Sequence, residues 1–192
     1  MPGFERAATI DRPPSQVYAA LDDIHAARNW MPTIRRIEVL TPNDAVDVGF
    51  RWRETRKVLG VFRVSAELEV TEHDPPRVWG LKSEDKKMHA TATFELARNE
   101  SGTLITMRQD VDDLQGKPKR AQRMAKWMEK ADNDLLLRLK AYVELQPARV
   151  DIQLIHEPVD AEGVEPLTAP RKQPAKKAAK AKRVATGRKQ GS

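Results

Sequence analysis

Alternating apolar and polar side chains dominate the first two thirds of the chain. The clearest case is residues 61–71, where from Phe62 onward every second side chain is apolar and the others are polar or charged. Because successive side chains of a strand point to opposite faces, this alternation predicts a sheet with one buried and one solvated face. Shorter patterns of the same kind predict six further strands, at residues 4–10, 34–40, 46–56, 78–82, 88–96 and 103–109.

Helical spacing appears in three places. Residues 15–21 and 24–30 predict two short helices between the first two strands, with prolines before and after them. Residues 118–145 predict one long amphipathic helix, since Pro118 suits a first helical turn and Pro147 forces a stop. Its apolar stripe is Ala121, Met124, Met128, Leu135, Leu139 and Tyr142.

The order of these elements predicts an α+β fold. Short links between neighbouring strands favour antiparallel pairing. One amphipathic helix must then cover the apolar face of about seven strands. We therefore expect a curved antiparallel sheet wrapped around the long C-terminal helix, with two short helices after the first strand.

Composition narrows the possible functions. The chain has no cysteine, which excludes disulfides, thiolate metal sites and a cysteine nucleophile. No apolar run is long enough for a membrane span, and the first residues lack an apolar signal core, so a cytoplasmic location is expected. The four histidines show no metal-ligand spacing, and no phosphate-binding or nucleophile motif occurs. We expect no metal and no cofactor.

Charge divides the chain into three parts. Residues 1–147 carry a net charge of +1 and contain the seven predicted strands and three predicted helices, so they are expected to form the folded domain. Residues 148–170 carry −4 and contain prolines, which predicts an acidic linker. Residues 171–192 hold nine Lys or Arg and no acidic residue, and their Lys/Ala-rich composition predicts a disordered basic tail.

The tail suggests one possible function. Its cations would attract nucleic acid, the ribosome or another polyanion without sequence preference. The alternative is a solubilising extension with no partner. The candidate contacts are Lys176, Lys177, Lys180, Lys182 and Arg183.

Short motifs in the body resemble a known superfamily. Residues 10–18 look like its opening strand–proline–helix segment, and Trp30-Met31-Pro32 resembles its next one. The Asp74-Pro75-Pro76-Arg77 turn and residues 139–144 complete the similarity in the expected order. The chain resembles the START/Bet v 1-like (SRPBCC) helix-grip superfamily, in its polyketide cyclase/dehydrase-like branch.

This resemblance implies a cavity between the sheet and the C-terminal helix that takes a hydrophobic small molecule. A carrier or sensor of a lipid- or polyketide-like compound is the favoured function. A polyketide aromatase/cyclase or dehydrase is the alternative, so enzymatic activity stays open, because this fold does not settle function.

Two carboxylates are weak catalytic candidates. If Phe50 and Trp52 face the core, the two-residue repeat of a strand places Glu54 on the same inward face. A carboxylate at that position could act as a general acid or base. The alternative is an exposed Glu54, or one paired with an arginine. Asp132 falls within the apolar stripe of the long helix, where it would face a ligand or an arginine from the sheet. The alternative is a shifted stripe, which would leave Asp132 at its rim.

Apolar side chains of the inward faces are the candidates for binding the ligand. Methionines supply adaptable apolar surface, and small alanines leave room for a cavity. Core packing is the alternative role for all of them. The candidates are Trp52, Phe62, Ala66, Ala92, Met107, Met124, Met128 and Leu135.

Overall fold

The computed structural model describes residues 1–42, 45–58 and 62–147. Within them the chain forms seven strands and four helices. The strands are β1 (Gly3–Ile10), β2 (Ile34–Val39), β3 (Arg51–Val58), β4 (Phe62–Asp74), β5 (Val78–Glu84), β6 (Met88–Asn99) and β7 (Gly102–Asp113). The helices are α1 (Pro14–Asp22), α2 (Ala27–Trp30), α3 (Pro118–Ala131) and α4 (Leu135–Leu145).

All seven strands belong to one antiparallel sheet. Its order is β1-β7-β6-β5-β4-β3-β2, so every neighbouring pair except β1 and β7 is also consecutive in the chain. The predicted fold class is confirmed: a curved antiparallel sheet, two short helices after β1 and a C-terminal helical region. The strong period-two alternation of β4, β6 and β7 is the reason that sequence reasoning succeeds here.

Strand β3 begins later than predicted. The sequence pattern places a strand over residues 46–56, but the backbone turns before Arg51. Gly49 has a φ of +89°, and the Phe50 N–H donates a hydrogen bond to the Asp47 carbonyl. Val48, which a strand starting at residue 46 would place on the same face as Phe50 and Trp52, is therefore exposed.

The C-terminal helical region spans the predicted residues 118–145 but is interrupted once. Residues 132–134 form a turn between α3 and α4. Their sequence, Asp-Asn-Asp, consists of short polar side chains that compete with the helix for backbone hydrogen bonds. The Asp132 carbonyl instead accepts the Leu135 N–H at 3.1 Å.

The helices cover different parts of the sheet. Helix α3 packs on β7 and β1, α4 packs on β1 and on the short helices, and α1 reaches β5, β6 and β7. Four aromatic rings of the sheet contact one another in sequence beneath the short helices, with centroids 5.8–6.3 Å apart: Phe50, Trp52, Trp79 and Phe94. This row fills much of the space that a wider ligand cavity needs.

None of the described helices is both long and apolar enough to cross a bilayer. The predicted linker of residues 148–170 and the tail of residues 171–192 lie outside the described residues, so both stay predictions.

Two leucines of α4 provide a matched test of this packing. Leu139 is completely buried, whereas Leu137 is 61% exposed. We expect Leu139→Ala to lower the free energy of unfolding by about 2–5 kcal/mol, because a buried truncation loses apolar contacts and leaves a cavity. Leu137→Ala should change it by less than about 0.5 kcal/mol. Urea denaturation followed by circular dichroism measures both, and equal losses would contradict the described orientation of α4.

Candidate functional site

A small pocket lies between the concave face of the sheet and the helices. Its volume is about 70 Å³. Apolar walls come from α1 and the segment after it, from α2 and α4, and from strands β3 to β6. Polar side chains are confined to one region of the lining: Glu54, Arg56, Gln109 and Asp132.

Glu54 is held in the wall of the pocket by two donors. Its side chain is buried on the same face of β3 as Trp52 and Arg56, as period two requires. The Trp52 indole N–H donates to Oε1 at 3.0 Å, and the Arg56 Nε–H donates to Oε2 at 2.7 Å. Of the sequence alternatives, Glu54 therefore faces inward and is also paired with an arginine. Both oxygens accept hydrogen bonds, which leaves Glu54 suited to a structural role.

Asp132 lies at the end of α3, where the helical region is interrupted. The Gln109 amide donates from Nε2 to Asp132 Oδ2 at 3.2 Å. Burial raises the pKa of the Asp132 carboxyl above its ordinary value, and the positive charge of Arg56 and the hydrogen bond from Gln109 offset part of the rise. Asp134 and Glu54 add to the rise through their negative charges. The pocket thus contains a carboxyl that holds its proton more tightly than an exposed aspartate does.

Three further polar atoms of the lining residues have no hydrogen-bond partner within the described residues. They are the indole nitrogens of Trp30 and Trp79 and the amide oxygen of Gln109. These residues are only 5%, 5% and 6% exposed. A buried polar group without a partner costs about 1–3 kcal/mol, so such groups call for an explanation. The residues that carry these two donors and one acceptor all line the same pocket, which makes them candidates for binding a polar oxygen.

The predicted ligand-binding residues separate into three groups. Trp52, Ala92 and Leu135 line the pocket, together with the catalytic candidates Glu54 and Asp132. Four others are not part of this lining, although Met107 is buried in the core and the rest are half-buried: Met107, Met124, Met128 and Ala66.

Phe62 is placed differently from the prediction. Its side chain is 62% exposed and does not line the pocket. The reason is the length of β4, whose first six residues extend beyond the point where β5 begins to pair with it, at Leu68. The alternation of apolar and polar residues correctly places Phe62 on the same face as the buried Leu68. It does not show whether other parts of the protein cover that face at Phe62.

Gln109 and Arg56 are site residues that sequence reasoning missed. Gln109 follows Ile105 and Met107 at period two in β7, so its position on the apolar face was readable from the sequence. Arg56 follows Glu54 by two residues and shares its face for the same reason. A polar residue within an apolar face was the signal in both cases.

Other expected sites remain without a structural test. The part of the chain that the structure describes holds no group of three or more His, Asp or Glu side chains arranged for a metal ion. The tail candidates for nucleic-acid binding, from Lys176 to Arg183, lie outside the described residues. Binding of a polyanion by the tail stays a prediction.

Comparison with solved structures supports the fold. The chain superposes on a protein of unknown function, SA2116 from Staphylococcus aureus, with a TM-score of 0.61 and 12% identity over 74% of this chain and 93% of that one. Superposition on TTHA0849 from Thermus thermophilus gives a TM-score of 0.59 and 18% identity, over 74% of this chain and 97% of that one. Superposition on the di-domain ARO/CYC BexL of the BE-7585A biosynthetic pathway gives a TM-score of 0.63 and 15% identity, over 76% of this chain and 47% of that one. At these identities the similarity shows the fold alone.

A search of the curated proteins finds no significant match. A family profile described as "Polyketide cyclase / dehydrase and lipid transport" matches residues 1–144, which is most of the chain. That family description supports the binding of a hydrophobic ligand. This chain belongs to the polyketide cyclase/dehydrase and lipid transport family.

Proposed function

We propose that the protein binds a compact, largely hydrophobic molecule that carries a hydroxyl or carbonyl oxygen, and that it acts as a carrier or sensor. The observation that carries the proposal is the set of unpaired buried groups on Trp30, Trp79 and Gln109 around one pocket. A ligand oxygen can accept from an indole N–H, and a hydroxyl can also donate to the Gln109 oxygen. The rest of the lining is mostly apolar and favours a ring or a short hydrocarbon chain.

The pocket volume limits the ligand. Sites for drug-sized molecules usually measure about 300–1,000 Å³, whereas this pocket measures about 70 Å³. A single ring or the end of a chain matches that volume. A complete lipid- or polyketide-like molecule needs side chains of α2 or α4 to move aside.

Acid–base catalysis is a second candidate function, favoured by the environment of Asp132. A carboxyl with a raised pKa keeps its proton to a higher pH than an exposed aspartate does, and it can donate that proton to a carbonyl oxygen in the pocket. Cyclisation and dehydration of a polyketide-like substrate both require such a transfer. Glu54 is the weaker of the two catalytic candidates, because both of its oxygens are already hydrogen-bonded.

Phenol and toluene test the ligand proposal, since they differ mainly by exchange of a hydroxyl for a methyl group. We expect phenol to bind about tenfold more tightly, the equivalent of one net hydrogen bond of roughly 1.4 kcal/mol. The indole N–H signals of Trp30 and Trp79 in ¹H–¹⁵N spectra should shift with phenol. The signal of Trp127, which does not line the pocket, is an internal reference.

Gln109→Met should reduce the preference for phenol over toluene while retaining toluene binding, because it removes the unpaired oxygen and preserves side-chain length. Gln122→Met is the matched control, since Gln122 is exposed on α3. Equal affinities for phenol and toluene in the unchanged protein, or an equal shift of all four indole signals, would argue against the proposed site.

The raised pKa of Asp132 predicts a pH-dependent stability. As the pH rises past the ordinary aspartate value of about 3.9, the unfolded chain ionises first while the folded protein keeps the proton. The stabilising contribution is therefore complete below that value and is lost as the pH rises through the higher folded-state pKa. Relative to Asp132→Asn, the unchanged protein should lose unfolding free energy over this interval. Urea titrations at several pH values measure the difference, and a gain with rising pH would contradict burial of this carboxyl.

Deuterium exchange of cyclohexanone in D₂O tests the catalytic candidate. In enolisation, Asp132 would give its proton to the ketone oxygen while water takes the α-proton. We expect the protein to accelerate the exchange seen by NMR, and Asp132→Asn to return it to the rate in buffer. Glu100→Gln is the control, because Glu100 is exposed in the turn between β6 and β7 and does not line the pocket. Exchange no faster than in buffer would remove this candidate.

A further inference from the structure

The paired ends of β3 and β4 form an arm that extends beyond the neighbouring strand β5. Strand β4 pairs with β3 from Phe62 onward, but with β5 only from Leu68 onward. At a rise of about 3.3 Å per residue, the six residues from Phe62 to Leu68 cover about 20 Å. We refer to Arg56–Val58 together with Phe62–Val64 as the arm.

One face of the arm is apolar and exposed. Phe62 is 62% exposed and Val64 is 50% exposed, and both lie on the face that continues through Ala66 to the buried Leu68. Isolated exposed apolar side chains are ordinary, but two neighbours on a projecting hairpin form a patch. The patch is continuous with the face that lines the pocket.

The opposite face of the arm is cationic. Lys57 and Arg63 are directly opposite each other in the β3–β4 register, and both are exposed. Like charges in this position repel and destabilise the strand pair. Neither side chain has an ion-pair partner among the described residues, whereas Arg51 and Arg53, nearer the start of β3, both pair with Glu67. The cations of the arm are thus available to an external anion.

We propose that the arm docks the protein on an anionic lipid bilayer, with Phe62 and Val64 entering the interface and Lys57 and Arg63 contacting lipid phosphates. The two groups lie on opposite faces, but the β4 edge between them has no β5 neighbour before Leu68, so contact through this edge brings both to one bilayer surface. Peripheral proteins combine apolar side chains and cations in this way at a charged membrane. A second copy of this chain fits less well, because it would cover the apolar face of the arm but would supply no anion to Lys57 and Arg63. Phe62, Val64, Lys57 and Arg63 do not line the pocket, so their contact with a bilayer can be tested without knowledge of the ligand.

The arm also lies beside the pocket. Arg56 lines the pocket and is directly opposite Val64 in the register. A bilayer in contact with Val64 would therefore lie close to the residue that pairs with Glu54. An apolar molecule dissolved in the bilayer could then enter without crossing bulk water.

The absence of cysteine makes a position-specific test possible. The full-length protein is prepared as Val64→Cys and labelled with the environment-sensitive dye NBD. Phosphatidylcholine vesicles containing phosphatidylglycerol should shift its emission to shorter wavelength and increase its intensity. The same label on Leu137→Cys, at an α4 position of similar exposure to Phe62, should not respond.

The cationic tail makes the control at position 137 necessary. Residues 171–192 carry nine positive charges that can attract the whole chain to the same vesicles. Vesicle binding with no response at position 64, or with equal responses at positions 64 and 137, would overturn the proposal. A response that depends on protein concentration in the absence of vesicles would also overturn it, since it would show contact between copies.

Neutralising variants test the charge contribution through vesicle co-sedimentation. Each Lys or Arg near an anionic surface adds about fivefold to the affinity. Lys57→Gln and Arg63→Gln should each lower binding by about that factor, and Phe62→Ser should abolish the dye response of the Val64→Cys protein. Arg98→Gln, at an exposed position of β6, is the matched control. Equal losses from Arg63→Gln and Arg98→Gln would contradict a specific role for the arm.

Discussion

The sheet is wider than any single helix that can cover it. Seven strands at about 4.8 Å spacing span roughly 29 Å, whereas a helix with its side chains is about 10–12 Å across. Helix α3 packs on β7 and β1, at one side of the sheet. The remaining apolar face must be filled by other side chains, enclosed as a pocket or left exposed, and the structure shows all three outcomes.

Filling by aromatic side chains explains the small volume of the pocket. Trp52 and Trp79 lie with their ring centroids 6.3 Å apart across the middle of the face, and Phe50 and Phe94 extend this row. Only Trp52 has its indole N–H satisfied, by Glu54. Each buried tryptophan also brings an indole N–H into an apolar interior. The packing that narrows the pocket is therefore also the source of its unpaired donors.

The sequence predicts the sheet, its antiparallel pairing and the inward direction of Glu54, because all three depend on a period-two pattern that local residues set. It does not predict the turn at residues 132–134, since Leu135 and Leu139 continue the apolar stripe beyond it and conceal the break. It also does not predict the exposure of Phe62. That exposure depends on where β5 ends, which is a property of strand register and not of the β4 sequence.

The pocket and the arm are two consequences of the same excess of apolar sheet, and their dimensions restrict each other. A pocket of about 70 Å³ cannot hold a whole bilayer lipid in the described conformation. If the arm contacts a bilayer, the molecule exchanged there must therefore be a small compound dissolved in the membrane, or only one end of a lipid. The Arg56–Glu54 pair lies between the two surfaces, and its charges need water or each other. If Arg56 moved toward a lipid phosphate, Glu54 would lose one of its two hydrogen-bond donors, and only the Trp52 indole N–H would remain.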